Sequence, residues 1–294
     1  MSSAPVLVLI DGPELGRPRP DRRLRRVAPR DPQVLVTDLG VTRGDGVFET
    51  VGIAAGRPQA LTAHLERLAR SAALLDLPAP DLEVFRAATL EVSALLADAP
   101  AAWCKLVMTR GPEGADRATG WAYGEASRDW SAERTVGIAV VTLGRGYASD
   151  VAATAPWLLQ GAKSLSYALN RAALREAQRR GAEDVIFTST DGYVLEGPTS
   201  TVVLRLGGEL VTPPVESGIL PGTTQGDAFG RLATRGAAVR TRPVGVDELA
   251  QADALWLMSS TRLAAPVREL DGRPVAVDGH LTAEINDFLA ARTS

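Results

Sequence analysis

The stretch Asp184-Val185-Ile186-Phe187-Thr188-Ser189-Thr190-Asp191-Gly192-Tyr193-Val194-Leu195-Glu196-Gly197 decides the fold class of this chain. Two apolar runs, 184–188 and 193–195, flank Asp191-Gly192, a pair that tolerates the positive φ of a tight hairpin turn. Just upstream, 165–180 has a helical period, with Arg171, Arg175 and Arg179 on one face and Gly181 as its stop. Downstream, 201–206 and 209–212 flank Gly207-Gly208 as a second hairpin. Pro221-Gly222 precedes a helix over 223–234, and 254–258 reads as a buried strand. Asp271-Gly272 turns a last hairpin, and a helix over 282–291 follows it.

The first half repeats this mixture. Val6–Ile10 is a short apolar run closed by Asp11-Gly12. Residues 18–32, rich in Pro and Arg, read as an exposed loop, where Arg22, Arg23, Arg25 and Arg26 either touch phosphate or form a solvated face. Runs 47–53 and 59–61 flank the Gly56 turn. Over 62–76, Leu65, Leu68, Ala72 and Leu75 recur at helical spacing, with Thr62 as the candidate cap. A second helix is expected over 81–97, a strand over 103–109, a polar loop over 111–125 and a strand over 135–143. Gly144-Arg145-Gly146 marks a linker. The expected organisation is a smaller α/β domain over 1–142, a linker at 143–150 and a second domain over 151–294. The class is α/β in the mixed α+β sense.

The 294 residues are 45% hydrophobic and 23% charged, which suits a globular chain that buries a core without staples. A net charge of −3 gives no strong pull on nucleic acid or an anionic membrane. One cysteine, Cys104, excludes an intrachain disulfide and fits a reducing, cytoplasmic setting. No run is long and apolar enough to span a bilayer, and no secretory leader pattern is present. Of 32 basic residues only Lys105 and Lys163 are lysines, so a reaction needing a primary amine has two side-chain candidates.

Lys163 lies in Gly161-Ala162-Lys163-Ser164-Leu165-Ser166-Tyr167, read as a strand-to-helix junction. Small neighbours enclose a lysine there, and enclosure favours the neutral amine that attacks a carbonyl; the alternative is a surface lysine. Glu196 follows an apolar strand and, if buried, needs a cationic partner, which a pyridinium nitrogen or an arginine supplies. Leu220-Pro221-Gly222-Thr223-Thr224 opens a helix whose first-turn N–H groups and dipole suit a phosphate, although many helices begin this way and bind nothing. Ser259-Ser260-Thr261 adds hydroxyls after a buried strand. Arg67, on the helix after the first hairpin, adds charge or forms a surface ion pair. An amine, a carboxylate and a phosphate cup are together what pyridoxal phosphate requires.

These residues fall in a series that resembles the class IV, or fold type IV, pyridoxal-phosphate enzymes: branched-chain and D-amino acid aminotransferases and aminodeoxychorismate lyases. The series runs from Asp38-Leu39-Gly40 through Arg43-Gly44-Asp45-Gly46-Val47-Phe48-Glu49-Thr50 and His64-Leu65-Glu66-Arg67-Leu68. Lys163-Ser164-Leu165-Ser166-Tyr167, Glu196-Gly197 and Gly218-Ile219-Leu220-Pro221-Gly222-Thr223-Thr224 continue it, and Met258-Ser259-Ser260-Thr261 with Ala265-Pro266-Val267 closes it. The resemblance implies two α/β domains with the cofactor between them, in a homodimer. It places the cofactor-binding, proton-moving lysine at Lys163, the ring-nitrogen carboxylate at Glu196 and the residue near the ring hydroxyl at Tyr167. It places the phosphate contacts at Arg67, Thr223, Thr224 and Thr261, with Ser260 beside them. Three positions depart from the family pattern: Thr201 stands for a common Asn, Gly222-Thr223-Thr224 for Gly-Ile-Thr, and Ser260 for a common Gly.

The resemblance implies a small amine as substrate and no metal. It is strongest toward aminodeoxychorismate lyase, which converts 4-amino-4-deoxychorismate to 4-aminobenzoate and pyruvate in folate precursor synthesis. The alternative is a transaminase acting on D-amino or branched-chain amino acids with a 2-oxo acid. Arg117, in the loop before Tyr123, is a candidate for a substrate carboxylate in either reaction, or a solvated loop arginine. A non-catalytic pyridoxal-phosphate-binding protein is the reading from another class; it has no need for both Lys163 and Glu196.

Overall fold

The computed structural model describes residues 4–10 and 24–292, and the chain folds into two compact units. The first holds the chain through Arg128, the segment Ala162–Tyr167 and the end from Arg292; the second holds Asp129–Gly161 and Ala168–Ala291. The expected turn at Asp11-Gly12 and the arginines Arg22 and Arg23 lie outside the described residues.

In the first unit the elements are β1 (Val6–Ile10), β2 (Leu24–Val27), α1 (Leu39–Thr42), β3 (Gly46–Ala54), β4 (Arg57–Pro58), α2 (Leu61–Leu74), α3 (Leu82–Leu95), β5 (Ala101–Thr109) and β6 (Thr119–Ala126). The strands form one antiparallel sheet in the order β2-β1-β6-β5-β3-β4. Thr50 stands opposite Lys105 and Lys105 opposite Tyr123; Phe48 stands opposite Val107 and Val107 opposite Trp121. Successive side chains alternate, so these residues share one face with Trp103, while Val47, Glu49, Val51, Cys104 and Leu106 share the other, fully buried one.

Three expectations change here. Thr119–Ala126, read as loop, is β6: Gly120, Ala122 and Gly124 leave room for α3, and a Cβ on Gly124 would sit 2.5 Å from Val92 Cγ1. A strand face made of small residues carries no apolar signal. Leu24–Val27, read as exposed loop, is an edge strand on β1 that keeps Arg25 and Arg26 exposed. Helix α2 is capped at Ala60, in a left-handed conformation without a side-chain bond, and not at Thr62. For α3 the cap is Asp81, whose carboxylate accepts the Val84 N–H at 3.3 Å.

The second unit contains α4 (Ser131–Thr135), β7 (Ile138–Gly144), α5 (Val151–Thr154), α6 (Ala168–Arg179), β8 (Asp184–Thr188), β9 (Thr201–Leu206), β10 (Glu209–Thr212), α7 (Thr223–Thr234), β11 (Val239–Thr241), β12 (Ala254–Ser259), β13 (Leu263–Leu270), β14 (Arg273–Pro274) and α8 (Gly279–Ala291). Its sheet runs β11-β10-β9-β12-β13-β7-β8, with β14 on β13. Pairs β10/β11, β7/β13 and β7/β8 are parallel and the others antiparallel. Because β7 pairs with β8 and β13, this unit begins before the linker placed at 143–150.

Helices α7 and α8 cover one region of the sheet, packing Phe229, Leu232, Ile285 and Leu289 on Val203, Trp256 and Met258. Trp256 is fully buried and donates from Nε1 to Thr282 Oγ1 at 2.8 Å. Ala173 and Ala177 of α6 pack on Val141, Val185 and Phe187. The turn at Asp191-Gly192 closes as the sequence indicates, with Ser189 N–H donating to Tyr193 O and Leu195 N–H to Phe187 O, both at 2.8 Å. Among the described residues no helix is long and apolar enough to cross a membrane.

Candidate active site

In the first unit Lys163 does not open a helix. Helix α6 begins at Ala168, and the Lys163 segment is extended, laid along β3. Phe48 N–H donates to Lys163 O at 3.0 Å and Leu165 N–H to Gly46 O at 2.8 Å. Gly46 permits this approach: a Cβ there would meet Leu165 Cδ1 at 2.8 Å and Met108 O at 2.7 Å. The Lys163 N–H also donates to Ser71 Oγ on α2 at 3.1 Å. Lys163 is half-buried, and its Nζ stands 4.6 Å from the centre of the Phe48 ring. Tyr167 meets the same ring edge-on, centroids 5.3 Å apart. The other lysine, Lys105, lies on that sheet face as well, 5.8 Å from the Phe48 ring and 5.7 Å from Trp103.

Arg67 lies one helical turn before Ser71 and is buried, 5% exposed. It is no surface ion pair. Its Nε donates to Glu49 Oε1 and its Nη2 to Glu49 Oε2, both at 2.7 Å. His64 Nδ1 lies 2.7 Å from the same Oε2, and Glu49 and His64 are both 0% exposed. Burial raises the Glu49 carboxyl, but the charge and hydrogen bonds of Arg67, with those of His64, outweigh it and hold the group well below the usual carboxylate range. Burial lowers His64 despite the pull of Glu49. The imidazole is therefore neutral, and its Nδ1 carries the proton donated to the carboxylate. Arg117 is exposed in the loop before β6.

In the second unit Glu196 is half-buried at the end of the hairpin, and its Oε2 accepts the Leu220 N–H at 3.0 Å. That bond ties the carboxylate to Pro221-Gly222-Thr223-Thr224, where α7 starts. Thr224 is buried, and its Oγ1 has no hydrogen-bond partner among the described residues; the same holds for Ser200 Oγ. Gly222 backs onto Thr201, whose Oγ1 would lie 2.2 Å from a Cβ at 222. Thr201 in turn pairs with Met258 across β9/β12, so the end of β12 that leads into Ser260 and Thr261 reaches the same end of the sheet. Both residues are half-buried, and Arg134 holds their loop by donating to Thr261 O at 3.1 Å and Arg262 O at 2.9 Å. Arg145 stacks 4.4 Å from the Phe187 ring and donates to Tyr147 Oη and Asn170 Oδ1, and Asn170 donates to Pro198 O. Burial pushes the Tyr147 phenol up, Arg145 opposes this and Glu196 adds to it.

Residues 46–270 match the family model described as amino-transferase class IV. The chain belongs to the class IV aminotransferases. A curated relative from Mycobacterium tuberculosis, a bifunctional aminodeoxychorismate lyase / D-amino acid transaminase, is 44% identical over 258 residues, 83% of this chain and 88% of that protein. Among solved structures, a fold IV transaminase from Curtobacterium pusillum aligns with a TM-score of 0.93 and 51% identity, covering 99% of this chain and 100% of that one. A hypothetical aminotransferase from M. tuberculosis, in a PLP-bound form, aligns with a TM-score of 0.89 and 38% identity over 98% and 99% of the two chains. Class IV aminotransferases depend on pyridoxal phosphate, and that is the cofactor of this enzyme.

The donor set of this class IV chain suits that group. A buried hydroxyl without a partner among the described residues, at the first turn of α7, together with the N–H groups of that turn, suits a phosphate. Glu196 has the charge that suits a ring N–H, and Lys163 offers a primary amine. The sequence alone does not show that Glu49 and His64 bond the Arg67 cluster or that Ser71 bonds the Lys163 backbone; a charged residue among the apolar positions of β3 is the available signal for Glu49.

Proposed function

We propose that this enzyme is an aminodeoxychorismate lyase, converting 4-amino-4-deoxychorismate to 4-aminobenzoate and pyruvate. The observation that carries this reading is the 44% identity to the bifunctional lyase and transaminase, spread over most of both chains. Transamination at the same site is the second reading, favoured by the fold IV transaminase at 51% identity, and the bifunctional relative points to D-amino acids as its substrates.

In this proposal Lys163 is the covalent anchor of the cofactor and the base. Pyridoxal phosphate, when bound, supplies an electron sink conjugated with the substrate carbon that loses its proton. Lys163 Nζ, 4.6 Å from the centre of the Phe48 ring, would take that proton. Glu196 balances positive charge on the ring nitrogen, and its bond from Leu220 fixes the carboxylate. Tyr167, held edge-on to Phe48, would meet the ring hydroxyl. Arg67, the amides of Thr223 and Thr224, and Ser260 and Thr261 hold the phosphate. In the lyase, the electrons left on the deprotonated carbon would form a ring double bond as the neighbouring C–O bond to the enolpyruvyl group breaks, and the departing enolate takes up a proton at carbon to become pyruvate, with no co-substrate. In the transaminase, Lys163 would return the proton at a neighbouring carbon, water would release the keto acid, and the amino group would stay with the cofactor until a 2-oxo acid takes it up.

Lys105 is better placed than Arg117 for a substrate carboxylate, because it shares the Phe48 face while Arg117 is exposed. The exposed apolar side chains Leu35, Val36 and Val41 of the first unit support the homodimer that the family resemblance implies. The test is to incubate the holoenzyme with 4-amino-4-deoxychorismate and no keto acid. Multiple turnovers to equal amounts of 4-aminobenzoate and pyruvate are expected. A single half-turnover with a D-amino acid, restarted only by a 2-oxo acid, together with no 4-aminobenzoate, would replace the lyase by the transaminase.

A further inference from the structure

We infer that Glu49 and His64 are positioning residues for the cofactor phosphate, acting through the Arg67 guanidinium. This rests on the reading that Arg67 meets the phosphate. Glu49 comes from β3, and His64 and Arg67 come from α2, three residues apart on one helix face. Glu49 takes the Nε–Nη2 edge of the guanidinium with both oxygens, a bidentate pairing that fixes the plane of the group. His64 donates to Oε2 and so fixes the carboxylate. A side chain as rotatable as arginine is thereby held before any ligand arrives, and the ligand meets an edge already oriented. The pair also solves a burial problem, since a guanidinium this enclosed is costly without a counter-charge.

Charge alone argues for the opposite effect. Glu49 cancels the charge of Arg67, so removing its negative charge makes the surroundings more positive and strengthens attraction for an anion. Orientation and charge therefore give opposite signs for one substitution. Glu49→Gln keeps the shape but turns one acceptor oxygen into an N–H₂ that faces a donor on Arg67 or His64. The bidentate grip is lost, and we expect orientation to win.

The test compares two ligands that differ only by the phosphate. Pyridoxal 5′-phosphate and pyridoxal are titrated into protein stripped of cofactor, with the visible band as readout and thermal melting of each variant as a control. Glu49→Gln is expected to weaken the phosphorylated ligand about ten-fold, the scale of one charged hydrogen bond, and to leave pyridoxal nearly unchanged. His64→Leu is expected to move in the same direction, and His64→Asn, which keeps a donor near Nδ1, to restore the preference. The two His64 variants carry the test if Glu49→Gln does not fold. Tighter binding of the phosphorylated ligand, an unchanged preference, or equal weakening of both ligands overturns the inference; equal weakening means that the cluster only supports the fold. Arg67→Gln separates the two layers. If it keeps the full preference for the phosphorylated ligand, Arg67 does not meet the phosphate and the underlying reading fails. If it loses the preference while Glu49→Gln keeps it, only the positioning role fails.

Discussion

Thr224 Oγ1 is a buried hydroxyl with no partner among the described residues, and such a group costs stability until something accepts or donates to it. Thr224→Val keeps the shape and removes the hydroxyl. The cofactor-free protein should then melt no lower than the parent, while its affinity for pyridoxal phosphate falls about ten-fold; a lower melting temperature with unchanged affinity would take Thr224 out of the phosphate cup. His64 makes a second prediction at this scale. Burial lowers its folded value below the ordinary 6.5, so below that value the unfolded chain binds the extra proton and the folded chain resists it. The stability from this group is complete above the unfolded value and is lost as pH falls toward the folded one. Glu49, also shifted down, changes only below its ordinary 4.5 and contributes no slope above it. Urea midpoints of the cofactor-free protein should thus drop between about pH 7.5 and 5.5, and His64→Asn should flatten that drop; an equal slope in the variant contradicts the buried neutral imidazole.

At the scale of elements, α7 and β9 meet where Gly222 faces Thr201, and the φ of Gly222, −74°, is ordinary for any residue. The glycine is needed for space and not for backbone freedom. Gly222→Ala should cost about 1–3 kcal/mol in urea unfolding, as overpacking does, and Thr201→Ala added to it should recover part of the loss; a neutral Gly222→Ala would mean that the turn has slack. The same two elements show what sequence can carry. Hairpins at Asp191-Gly192 and Gly207-Gly208, and helix α7 after Pro221-Gly222, are legible because turn chemistry and periodicity are local. Strand β6 is not, because Gly120, Ala122 and Gly124 give it a face without apolar bulk. The extended Lys163 segment reads as a helix start because its partners, Phe48 and Gly46, lie more than a hundred residues away in sequence. Arg67 reads as a surface charge for the same reason: Glu49, its partner, sits on another element.

Across the whole molecule, the residues that the proposal assigns to the cofactor come from both units. The first offers Lys163, Tyr167 and Arg67 around Phe48 and α2; the second offers Glu196, the α7 turn and the end of β12. A family match over residues 46–270 spans both. The composition sharpens the decisive experiment, because the chain has only two lysines, Lys105 and Lys163, and both stand near the Phe48 ring. Borohydride reduction of the holoenzyme, followed by peptide mass mapping, locates the amine that bonds to the cofactor. The expected result is loss of the visible band with one pyridoxyl group per chain on Lys163; a label on Lys105, or a band that disappears with no lysine labelled, contradicts the account.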